Sequence, residues 1–129
     1  MDDRICQLGF ALFPGIGPKR FRKLMDQFGK ASSAWNASEN DLVTSGISEE
    51  IVTSFSRFRS SIDLQRYEAI LSAKNIGYIS LEDDSYPSLL KQIDSPPFVL
   101  FYKGNLEILH DTAAVAVVGT RRITAYAIS

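Results

Sequence analysis

Ala113-Ala114-Val115-Ala116-Val117-Val118-Gly119-Thr120-Arg121-Arg122, followed by Thr124 and Tyr126, is the stretch that decides the fold class. Six apolar residues without polar alternation suit a strand buried on both faces, as in a parallel sheet covered by helices. A glycine directly after such a strand lets backbone N–H groups approach an anion at a helix start, and two arginines add bidentate phosphate donors. The reading is therefore α/β: strand, turn, phosphate site, with Gly119, Thr120, Arg121 and Arg122 as candidate binding residues. A parallel sheet needs further strands and crossover helices, so the chain is expected to be the front part of a longer protein. A dinucleotide cofactor is not expected, because its fingerprint of three spaced glycines is absent and Arg121 stands where the second would be.

Composition narrows the function classes. The chain has 129 residues, 45% of them hydrophobic, and a net charge of -1, which suits a globular chain with one domain and part of another. That charge excludes a globally basic nucleic-acid binder, so any such binding rests on a local patch. The single Cys6 excludes an internal disulfide framework, and with His110 it cannot build a zinc site. No metal site and no cofactor are expected. Met1-Asp2-Asp3 is no signal start and no apolar run approaches the roughly 20 residues of a membrane span, which makes a reducing cytoplasm the expected location and a membrane no partner.

Upstream, the first segment to about Phe58 reads as helical. Ile5, Leu8, Gly9, Leu12 and Phe13 recur at helical spacing, Pro14-Gly15-Ile16-Gly17-Pro18 interrupts, and Phe21, Leu24, Met25 and Phe28 restore the period until Gly29. A second, weaker copy follows: a short helix around Leu42, a Gly46-Ile47 turn, and a Ser48-led helix carrying Ile51, Val52 and Phe55. Gly15 and Gly46 are read as matching positions, and Trp35, between the copies, as the plug of a shared core. The first copy resembles the Pro-Gly-Ile-Gly signature of the helix-hairpin-helix, and the second lacks the paired glycines. In such a turn Gly15 and Gly17 permit positive φ and leave N–H groups uncovered for a phosphate, with Ile16 between them. Lys19, Arg20, Arg22 and Lys23 lie on the polar side of the next helix, so contacts there would be independent of sequence and sensitive to salt. The alternative is that the glycines only close a hairpin and the basic residues form a solvated face.

Further along, the pattern predicts a helix over 61–74 with Leu64, Tyr67, Ile70 and Leu71 inward, closed by Asn75 and Gly77. It then predicts a strand at 78–81, a short helix over 87–93 capped by Ser85, and a strand at 98–102. Asp83 and Asp84 are better explained by a turn than by catalysis, His110 has no catalytic partner nearby, and Cys6 reads as a small hydrophobe. No nucleophile with an adjacent base can be assembled, so no catalytic residue is assigned.

Three segments together carry a family resemblance. Asp83-Asp84-Ser85-Tyr86-Pro87 with Leu89 and Leu90, the run Ser95 to Leu106, and the Val117-Val118-Gly119-Thr120-Arg121 turn with Tyr126 resemble the DNA-processing protein A family (DprA, also called Smf). The similarity covers nearly the whole chain. One position departs: Ala127 stands where the family usually has glycine. The resemblance implies a SAM-like, tandem helix-hairpin-helix module over residues 1–60, a bridging helix over 61–77, and the incomplete start of a Rossmann-like domain over 78–129, whose first strand is 113–118, with the two earlier strands extending that sheet. It also implies a non-enzymatic protein that binds single-stranded DNA during natural transformation and loads the RecA recombinase, dimerising through its Rossmann-like domain, with the RecA contact beyond the chain end. Two alternatives stand beside it: a Rossmann-like nucleotide-cleaving enzyme of the phosphoribohydrolase type, and a helical module used only for protein contacts.

Overall fold

The computed structural model describes residues 2–103. Asp2 opens the first helix, α1 (Asp3–Leu12), by accepting the Arg4 N–H on its side chain. Pro14 ends it, because the residue before a proline is driven out of the helical region, and Phe13 is extended at φ -86°, ψ 118°. Pro18 then begins α2 (Pro18–Phe28), which Gly29 closes with φ +81°. Two short helices, α3 (Ala31–Trp35) and α4 (Glu39–Thr44), lead to α5 (Glu49–Ser61). Ser38 and Ser48 cap α4 and α5 by accepting the N–H groups of Asp41 and Ile51.

The predicted helix over 61–74 begins later than its periodicity suggested. Ser61 is the last residue of α5, Ile62 is extended, and Asp63 accepts the Arg66 N–H to start α6 (Leu64–Ala73). Leu64 and Leu71 are buried, but Ile70, expected inward, is 43% exposed because α6 is covered on one side only. Asn75 ends this region in the left-handed conformation at φ +60°.

Two strands follow, β1 (Ile76–Ser80) and β2 (Val99–Lys103), paired antiparallel with Tyr78 opposite Phe101. Gly77 belongs to β1 rather than to the helix end, and a Cβ there would fall 2.3 Å from Tyr102 Cζ across the pair. Between the strands lies α7 (Ser88–Lys91), shorter than expected; its N-cap position is Pro87, which offers no side-chain hydrogen bond, so Ser85 is not the cap. Tyr86 is buried, and its hydroxyl donates to the Pro97 carbonyl at 2.7 Å, tying the two ends of this loop. The result over the described residues is mostly helical with a small two-stranded sheet, compatible with α/β. The expected third strand at 113–118 lies outside them.

Aromatic rings fill the centre. Phe10 stacks on Phe55 at 5.2 Å, Trp35 meets both edge-on at 5.2 Å, and Phe13 and Phe58 close the cluster. Trp35 is thus the plug between the two hairpins. A Cβ on Gly9 would lie 2.6 Å from its indole, so α1 approaches Trp35 only through a bare backbone. Arg59 fixes the chain after α3 by donating to the carbonyls of Trp35 and Ala37 at 2.8 and 2.7 Å. The same core continues into the sheet through Tyr78, Phe98 and Val99, and Phe21 of α2 stacks flat on Phe98 at 3.9 Å and 7°. Arg4 adds a polar clasp: it donates to the Tyr78 carbonyl, pairs with Asp83 at 3.2 Å, and lies over the Tyr78 ring.

Candidate nucleic-acid interface

The turn between α1 and α2 is built differently from the expected glycine hairpin. Neither Gly15 nor Gly17 has positive φ; among the described glycines that conformation occurs at Gly29 and Gly46. Gly15 is required by space instead, since a Cβ would meet the Phe13 ring at 2.6 Å. Gly15 and Gly46 are therefore not equivalent, because Gly46 sits at φ +108°. Ile16 is buried at 4% exposure, so its side chain anchors the turn, and its N–H donates to the Phe13 carbonyl at 3.4 Å. Gly17 is extended at φ -93°, ψ -171°, with nothing within 4 Å of where a Cβ would stand.

Gly17 occupies the N-cap position of α2 and supplies no side-chain oxygen. The first backbone N–H groups of a helix have no partner within it, and Pro18 has none to offer, so those of Lys19 and Arg20 remain for an outside acceptor. The positive end of the helix dipole adds to the attraction for an anion. Around it opens a groove of about 570 Å³ lined by Gly17, Pro18, Lys19, Arg20, Lys23 and, from the loop before β2, Ser95. No carboxylate lines it. Arg20 leans back over the turn to donate to the Gly15 carbonyl at 3.4 Å, while Lys19 is exposed. Lys23 reaches toward the second turn, its Nζ 4.0 Å from the position a Gly46 Cβ would take.

The four basic residues read as one face divide. Lys19, Arg20 and Lys23 line the groove; Arg22 lines a separate cleft on the other side of α2. The second hairpin has the opposite electrostatics: Ser48 already occupies the Ile51 N–H, and Glu49 and Glu50 fill the first turn of α5. A phosphate is repelled there and attracted at α2. Ser95 was missed from the sequence, where nothing in the Asp94-Ser95-Pro96 run marks it.

The remaining candidates fall outside this groove. Asp83 accepts from the Ser80 N–H at 2.8 Å and from Arg4, the role of a turn residue. Cys6 is fully buried, and burial pushes its thiol from 9.0 up to about 11. Among the described residues no group of acidic, histidine and cysteine side chains could hold a metal ion, and no helix is long and apolar enough to cross a membrane. Gly119, Thr120, Arg121, Arg122 and His110 lie outside the described residues.

Comparison with known proteins adds a likeness. Residues 77–129 match the model of the family described as DNA recombination-mediator protein A. The chain is 29% identical over 118 residues to protein Smf of Synechocystis sp. (strain ATCC 27184 / PCC 6803 / Kazusa), a match covering 88% of this chain and 30% of that protein. It is 40% identical over 63 residues to the DNA processing protein DprA of Bacillus subtilis (strain 168), covering 49% of this chain and 21% of that protein. Over the matched residues the chain is thus similar to proteins of the DprA/Smf kind. It spans less than a third of the length of these two relatives. No solved structure matches it.

Proposed function

We propose that this chain is part of a DNA-processing protein that binds incoming single-stranded DNA during natural transformation and passes it to the RecA recombinase in the cytoplasm, without catalysis of its own. The observation that carries the reading is the uncapped start of α2, flanked by Lys19, Arg20 and Lys23 in a groove without a carboxylate. Backbone donors plus cations that read no base edge suit strands of any sequence. The name of the Bacillus subtilis relative and the description of the matching family model support a role in DNA processing and recombination. In this reading residues 1–60 serve as a SAM-like helix-hairpin-helix module and 78–129 begin a Rossmann-like domain. Gly119, Thr120, Arg121 and Arg122 then form a second phosphate site, and RecA contact and dimerisation belong to the complete protein.

The test is a titration of fluorescent oligonucleotide at several salt concentrations. Lys19→Glu together with Arg20→Glu is expected to weaken strands of every sequence by about tenfold or more and to flatten the salt slope by about 1 to 1.5, the share of two phosphates on a single strand. Thermal stability should hardly move, because exposed charges contribute little to folding. Unchanged affinity would overturn the reading and shift the helical module to protein contacts.

A further inference from the structure

The cleft on the far side of α2 is not used by the phosphate groove. It has a volume of about 180 Å³, and its walls are mainly Pro18, Phe21, Met25, Leu81 and Phe98, with Gln7 of α1 also lining it. Arg22, Glu82 and Pro96 complete the lining. Pro18 lines both this cleft and the basic groove, so the two meet at the first residue of α2.

We propose that this cleft receives one nucleobase of the strand whose phosphate occupies the α2 N-terminus; the proposal rests on the DNA reading above and adds a base subsite to it. The chemistry of the walls selects this occupant. Apolar side chains and Glu82 disfavour a phosphate, which would lose its hydration and meet a like charge. A flat, largely uncharged ring gains from burial against Phe21, Met25 and Phe98, and base contacts with such platforms tolerate any sequence. Gln7 is 6% exposed, and its Nε2 donates to Asp3 Oδ2 at 3.4 Å. A base edge carries the N–H donors that an amide oxygen accepts. Arg22 can lie over a ring face with its planar guanidinium. The adjoining groove, cationic and free of carboxylates, argues for a base carried on a phosphate backbone rather than for an apolar protein side chain.

The experiment compares two equally long fluorescent strands, one of thymidines and one of abasic residues with the same phosphodiester backbone, bound to the full chain. The thymidine strand should bind at least fivefold more tightly, the effect of stacking one base. Met25→Trp, which fills the cleft, should remove that preference while the abasic strand binds as it does to the parent. Gln7→Leu, which keeps the side chain's bulk without its amide, should reduce the preference and guards against a folding defect in the first variant, whose helicity circular dichroism checks. If the parent binds both strands alike, the base subsite is wrong and the phosphate groove stands. A preference that survives in both variants places the base elsewhere and also overturns it. If neither strand binds, the DNA reading itself fails.

Discussion

Cys6 sits on α1 with no exposed surface, and its burial has a consequence for alkaline stability. The unfolded thiol ionises near 9.0, whereas the folded one keeps its proton to about 11. Its contribution to stability is therefore complete below pH 9 and is lost as the pH climbs toward 11, because only the unfolded chain releases the proton in that window. Denaturant unfolding followed through this range should show the parent losing stability faster than Cys6→Ala; parallel losses would mean that the thiol is not sequestered. Tyr78 and Tyr86 are shifted upward by burial too, Tyr78 also by its hydrogen bond to Glu68, so the difference between parent and variant is the quantity to read. The apolar setting of Cys6 was legible in Ile5, Leu8 and Gly9. What periodicity could not show is that α1 is enclosed on nearly every side, since Gln7 is buried along with the apolar positions.

At the scale of elements, the contrast between the two hairpins turns on a single position. Gly17 and Ser48 both precede helices, yet only Ser48 satisfies a backbone N–H with its own side chain. Gly17→Ser has open space and an extended backbone that accepts it. The substitution should stabilise α2 by a few tenths of a kcal/mol while its hydroxyl competes with phosphate for the same N–H groups. Oligonucleotide affinity should thus fall as the melting temperature holds or rises; a variant that binds as well as the parent would show that the helix start is not the anion site. The glycines, Pro18 and the basic cluster were visible in the sequence; the division of the cluster was not, since all four cations fall on the polar side of α2 and only the neighbouring elements set Arg22 into a different cleft. Ser95 was not, because it joins the groove only when β1 and β2 pair and bring their connecting loop beside α2. The positive φ expected at Gly15 and Gly17 failed because either a turn or a close ring contact can demand glycine, and at Gly15 the Phe13 ring does so.

Across the described residues, helices and strands share the larger of two hydrophobic clusters, and the Phe21–Phe98 stack is where they meet. Phe98→Ala should cost about 3–5 kcal/mol, and circular dichroism should report lower thermal stability of the helices although the substitution lies just before a strand. Helices that melt at the parent's temperature would mean that the two parts are energetically separate. Helical periods and the Val-Leu-Phe-Tyr strand were readable from local pattern. The joining of the parts was not, since it depends on residues far apart in sequence. Arg4 and Asp83, which clasp the same junction, are separated by 79 positions. That separation sets an order of events in time. Contacts around Trp35 and Phe55 close short loops, whereas the Arg4 and Phe21 contacts wait for a long one whose closure is entropically costly. The helical hairpins are therefore expected to form first and the strands to dock late, so that stopped-flow kinetics should show Trp35→Ala slowing refolding and Phe98→Ala chiefly hastening unfolding.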